Sequence, residues 1–158
     1  MAADQRDNHV SRRQFLATSG IAATTVAMTA KSYGKVLGSN DRIRIGFIGV
    51  GGMGSGHVGA CLKLKEPDNL EFLGVADCWK TRADEAAKRL DTQSFDDYRK
   101  LLDIKEIDYV TIATPEHWHS KMTVDAMDAG KDVYCEKPMT HDIPQAQEVI
   151  KKQKETGR

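Results

Sequence analysis

The chain has 158 residues, 40% of them hydrophobic, which matches one ordinary globular domain in size and composition. Its 23 acidic and 23 basic side chains cancel, so no net field draws it to nucleic acid or to an anionic membrane, and neither is expected as a partner. Cys61, Cys78 and Cys135 are odd in number and lack metal-ligand spacing, and the His117/His119 pair has no third ligand in view, so neither a disulfide framework nor a metal site is expected.

In chain order, the first feature is Ser11-Arg12-Arg13-Gln14-Phe15-Leu16, a twin-arginine export motif. A weakly apolar stretch, residues 17–30, follows it and is diluted by Thr18, Ser19, Thr24, Thr25 and Thr29. That stretch is too short and too polar to span a bilayer stably. Residues 1–39 are therefore expected to be a signal and linker, an address rather than an anchor, sending the protein to the periplasm or otherwise out by the twin-arginine route. The alternative is a disordered tail with a chance Arg-Arg pair.

From residue 40 onward, apolar runs alternate with amphipathic ones, the pattern of an α/β doubly wound parallel sheet. Residues 42–48 read as a buried strand, and Gly49, Gly51 and Gly54 then spell G-x-G-x-x-G where strand turns to helix. The first glycine permits the tight turn, the second admits the phosphates close to the backbone, and the third lets helix pack on strand. The free N–H groups at the helix start favour an anion, here a dinucleotide pyrophosphate.

A helix is expected over residues 55–65, then a turn over 66–69 and a second strand over 70–76. Asp77 follows that strand where a ribose-binding carboxylate belongs, accepting from both hydroxyls and repelling a 2′-phosphate, so NAD is favoured over NADP. Lys80 and Arg82 lie close enough in sequence to soften that preference. A plainer reading keeps Asp77 as a cap for the helix that begins near Thr81.

That helix runs over residues 81–90, a short third strand over 92–95, and a helix opened by Asp96-Asp97 continues through Leu102. The fourth strand is expected at 108–113 and the next helix at 119–129, with Gly130 in a left-handed cap. The fifth strand covers 131–135, and a last helix covers 143–155 before Gly157. Domains of this type have six strands in the order 3-2-1-4-5-6, so a domain lacking its last strand is expected, with an unpaired sheet edge.

Two further segments complete a pattern: Thr114-Pro115-Glu116-His117-Trp118-His119 after the fourth strand, as T-P-x-x-x-H, and Glu136-Lys137-Pro138 after the fifth. Singly, Pro115 could merely end a strand, Trp118 could be packing, and Glu136-Lys137 could be a solvated pair. With the glycine loop and Asp77, in that order, they resemble the glucose-fructose oxidoreductase, inositol dehydrogenase and rhizopine catabolism (Gfo/Idh/MocA) family over residues 42–158.

The resemblance implies a Rossmann domain in which Gly49, Gly51, Gly52, Met53 and Gly54 form the phosphate loop and Asp77 holds the adenosine ribose. It implies that Thr114 and Pro115 cross beside the dinucleotide with His119 close by. Glu136 would stand near the nicotinamide ribose, and Lys137 would act catalytically on the reacting hydroxyl. Enzymes of the family also carry a C-terminal α+β domain that supplies the substrate pocket, and no such domain is seen in these residues. The implied function is hydride transfer at a sugar or cyclitol hydroxyl, in an oligomer only when that domain is present. An NAD-dependent redox-elimination glycosidase of the same superfamily is the first alternative. An inactive nucleotide-binding module is the second.

Overall fold

The computed structural model describes residues 41–158, and the twin-arginine segment lies outside the described residues. Strand β1 (Ile43–Ile48) has its last four residues buried, as a central parallel strand requires. It leads into α1 (Gly52–Leu64), β2 (Leu70–Ala76), α2 (Lys80–Leu90), β3 (Ser94–Phe95), α3 (Tyr98–Leu102) and β4 (Tyr109–Ile112). A 3₁₀ turn (Glu116–Trp118) then precedes α4 (His119–Asp128), β5 (Asp132–Cys135) and α5 (Ile143–Thr156).

The sheet order is β3-β2-β1-β4-β5, and every pairing is parallel. This is the expected doubly wound order as far as the fifth strand. Each face carries its own apolar cluster. Phe47, Val58, Phe72, Val75 and Leu90 pack with α1 and α2 on one side, while Ile48, Leu101, Ile107, Val110, Ile112 and Ala126 pack with α3 and α4 on the other. β1 thus feeds both layers through alternate residues, which is why its run reads as continuously apolar rather than alternating. No helix among the described residues is long and apolar enough to cross a membrane.

Several boundaries depart from the sequence expectation. Helix α1 starts at Gly52, not at residue 55, because its first turn is held by tertiary packing rather than by helix propensity. The third strand is two residues long. Asp97 lies outside α3 and caps it, its carboxylate accepting from the Arg99 N–H at 2.9 Å. The turn Glu116–Trp118 was not expected at all. Lys131 is not in the fifth strand: it is buried, and its ammonium donates to the carbonyls of Ile104 (2.7 Å) and Lys105 (3.1 Å).

Candidate functional site

Register aligns the strand ends, because Ile48 pairs with Ala76 and Ile112, and Ile112 pairs with Cys135. The ladder runs one step further in the loops. Gly49 N–H donates to Ala76 O (2.8 Å), Asp77 N–H to Phe95 O (3.1 Å), Ala113 N–H to Ile48 O (2.9 Å) and Glu136 N–H to Ile112 O (2.9 Å). The glycine loop, Asp77, the T-P segment and the E-K-P segment are therefore brought to one edge of the sheet. That edge is the carboxyl end of the strands, where open α/β sheets bind ligands.

A cleft of about 790 Å³ opens there. Gly49, Gly51, Met53, Asp77, Thr114, Pro115, His119, Glu136 and Lys137 line it, while Gly52 and Gly54 do not. Gly54 works from behind: a Cβ there would collide with the carbonyl oxygen of Gly49. Gly49 has φ +79°, and a side chain on it would meet the Thr114 backbone nitrogen at 2.8 Å. These two glycines let α1 and the T-P segment close tightly around the turn.

Asp77 is 9% exposed. Its Oδ2 accepts from the Val50 N–H at 3.0 Å, and its Oδ1 accepts from the Trp79 N–H at 2.8 Å. Trp79 is the N-cap of α2 and its own side chain makes no capping bond, so Asp77 meets the start of that helix through the Trp79 N–H as well as the glycine loop through Val50. The Arg82 guanidinium lies 3.9 Å from Asp77 Oδ2 and rests over the Trp79 ring at 4.6 Å. Lys80 is instead drawn to Asp84 at 2.8 Å. Beyond the neighbouring strand β3, Arg99 pairs with Asp97 (3.0 Å) and Lys100 with Asp96 (2.6 Å), all four on the cleft lining.

At the other end, Glu136 Oε1 lies 2.7 Å from His57 Nε2 and Glu136 Oε2 accepts from the Lys137 N–H at 3.1 Å. The His57 ring, and then the Lys137 N–H, hold the Glu136 carboxyl below its ordinary range. His119 is 2% exposed, with Nδ1 2.8 Å from Pro138 O and Nε2 2.8 Å from Thr114 O. Both its nitrogens face carbonyls, so the ring stands between the two loops where they border the cleft. The Lys137–Pro138 peptide bond is cis. Lys137 itself is exposed at the cleft.

Three contributors escaped the sequence reading as parts of the site. Tyr98 lines the cleft, donates to Asp125 Oδ2 at 2.6 Å and packs edge-on against Trp118. Trp118 forms the same wall. His57 comes from α1, 79 residues before Glu136, and nothing in the local pattern around it marks the pairing.

The residues fit a dinucleotide. Helix α1 starts with no side-chain cap and no acidic residue in its first turn, leaving its N–H groups and positive end for an anion. A Cβ on Gly52 would meet nothing within 4 Å, so the space above the helix start is open.

Fold and site together define a dinucleotide-binding domain of the doubly wound class. The model of the "Oxidoreductase family, NAD-binding Rossmann fold" (GFO_IDH_MocA) matches residues 43–158. The chain belongs to that family. It is 29% identical to a glycosyl hydrolase family 109 protein of Shewanella pealeana over 168 residues, covering 89% of this chain and 36% of the relative. An NAD binding oxidoreductase from Klebsiella pneumoniae superposes with a TM-score of 0.67 at 34% identity, covering 73% of this chain and 32% of that one. The WlbA dehydrogenase of Chromobacterium violaceum, solved with NADH and UDP-GlcNAcA, gives a TM-score of 0.69 at 25% identity over 74% and 33% of the two chains. The chain spans about a third of the length of the curated relatives it matches.

Proposed function

We propose that residues 41–158 bind NAD(H) as the cofactor domain of an oxidoreductase acting on a sugar or cyclitol hydroxyl. The observation that carries this is the Asp77 carboxylate, fixed to the glycine loop through Val50 at 3.0 Å, in the same cleft that Lys137 lines. Asp77 accepts from the two adenosine-ribose hydroxyls and disfavours a 2′-phosphate, while Arg82 works in the opposite sense. Thr114 and Pro115 border the dinucleotide, and Glu136 receives the nicotinamide ribose with its remaining lone pairs. Bound NAD supplies the hydride acceptor. The Lys137 ammonium hydrogen-bonds the reacting hydroxyl and lowers the cost of its proton leaving.

Turnover is proposed for a protein of the relatives' full length. In such a protein Lys137→Ala lowers kcat by roughly 10²- to 10⁴-fold, the scale of a lost acid or base, with NAD affinity nearly unchanged. Normal turnover of this variant at saturating NAD would leave Lys137 as a binding residue only. A second reading, the redox-neutral glycosidase, is favoured by the likeness to a protein named glycosyl hydrolase family 109. Net NADH decides between the two: a dehydrogenase releases it in step with product, and the glycosidase frees its leaving group with none. Export by the twin-arginine route is proposed from Arg12-Arg13. Changing both to Lys should trap the protein in the cytoplasm, and unchanged periplasmic protein on fractionation would refute it.

A further inference from the structure

We propose that His57 and His119 are the positioning residues of Lys137, gripping the chain on either side of it, His57 through the Glu136 carboxylate and His119 through the Pro138 carbonyl. The proposal rests on the reading of the cleft as a dinucleotide site with Lys137 at its nicotinamide end.

Beyond Glu136 the chain leaves the sheet. The bond from Glu136 N–H to Ile112 O ends the ladder, and Lys137, Pro138 and Met139 are all exposed. A lysine in such a turn sweeps a wide volume unless its backbone is fixed from outside. The two imidazoles supply that fixing from opposite directions. His57 stands on α1, the helix that begins at the phosphate loop, and its Nε2 meets Glu136 Oε1 at 2.7 Å. The same carboxylate's second oxygen takes the Lys137 N–H at 3.1 Å, and the Tyr134 ring packs edge-on to His57 at 5.3 Å. The residue before Lys137 is thereby tied to α1.

The residue after Lys137 is tied to the loop after β4. His119 Nδ1 is 2.8 Å from Pro138 O while Nε2 is 2.8 Å from Thr114 O. Carbonyl oxygens only accept, so a neutral ring bonds one of them at a time and a doubly protonated ring bonds both. Filling the space alone would need no such ring, since an apolar side chain does so without polar partners. Two carbonyls aimed at one buried ring place it between the T-P and E-K-P segments, within hydrogen-bond reach of each. Precision there matters because a misplacement of about 1 Å in a reacting group can cost on the order of 10²-fold in rate.

The test uses the 158-residue protein and two readouts. His57→Leu and His119→Leu remove the grips, and His57→Gln keeps a donor toward Glu136. In amide exchange, each Leu variant should release the Lys137 N–H roughly tenfold faster, about the scale of one lost hydrogen bond, with β1 and β4 amides unchanged. His57→Gln should restore most of the protection. In titrations, the Leu variants should weaken NADH by about tenfold and leave ADP-ribose, which lacks the nicotinamide, unaffected. Acceleration spread over the sheet, or equal losses for both ligands, would make the histidines ordinary packing residues and overturn the proposal. Unchanged exchange at Lys137 would overturn it as well. Wild-type protein that binds neither ligand would refute the dinucleotide reading, while the exchange data still decide whether the histidines hold Lys137. Should His119→Leu fail to fold, the half-buried His57 pair carries both readouts.

Discussion

Asp77 Oδ2 accepts a hydrogen bond of 3.0 Å from the N–H of Val50, joining the end of β2 to the middle of the glycine loop. The carboxylate proposed to hold the adenosine ribose is thus also a structural member of the glycine loop, and one change alters both roles. Asp77→Ala leaves the Val50 and Trp79 N–H groups without their acceptor. A stability loss of about 1–3 kcal/mol is expected for the buried donor. NADH affinity should fall and the gap to NADPH should narrow. Denaturant melts combined with titration of both cofactors check this, and a wild type that prefers NADPH would show that Asp77 does not set the choice.

Gly54 and Gly52 separate folding from binding. In Gly54→Ala the new Cβ meets the Gly49 carbonyl oxygen, and backbone cannot yield as a side chain tip can. Overpacking of this kind costs about 1–3 kcal/mol, and the loop should lose cofactor with it. Gly52→Ala enters open space in the first turn of α1, where alanine is favoured over glycine by about 0.5–1 kcal/mol. It should keep or raise stability while weakening NADH, if the pyrophosphate sits over the helix start. Thermal melts and titrations on the two variants make the comparison.

The wall formed by Tyr98 and Trp118 has its own signature at high pH. Burial first, and then the hydrogen bond to Asp125, push the Tyr98 hydroxyl up to about 12 from an ordinary 10. Burial likewise takes Tyr109 to about 12. Because these folded values lie above the unfolded one, the stabilisation is complete below pH 10 and is lost as pH rises toward 12 and beyond. Alkaline absorbance titration should show two late-ionising tyrosines, one removed by Tyr98→Phe and the other by Tyr109→Phe. A Tyr98→Phe protein that retains both late steps would contradict the assignment.

The parts of the fold written locally in the chain were legible from it. Apolar runs marked β1, β2 and β4, and the glycine loop and the acid after β2, both singled out by their spacing, line one cleft. Gly130 and Gly157 do take positive φ, at +75° and +72°. Helix α1 began earlier than propensity suggested because Gly54 packs on Gly49, a contact that poor helix formers reveal only once folded. His119 lines the cleft, but its partners are the carbonyls of Thr114 and Pro138, which carry no side-chain signal. His57 was missed for a similar reason: the pairing with Glu136 crosses 79 residues and depends on where α1 points.

The central claim is that the cleft bordered by Gly51, Asp77 and Lys137 takes NAD(H). Calorimetric titration of the 158-residue protein with NADH, and in parallel with NADPH, tests it most directly. The account predicts saturable binding of one NADH per chain, tighter than NADPH, with the difference reduced in Asp77→Ala. Absence of any saturable heat with either cofactor, or the same NADH affinity in Asp77→Ala as in the wild type, would contradict it.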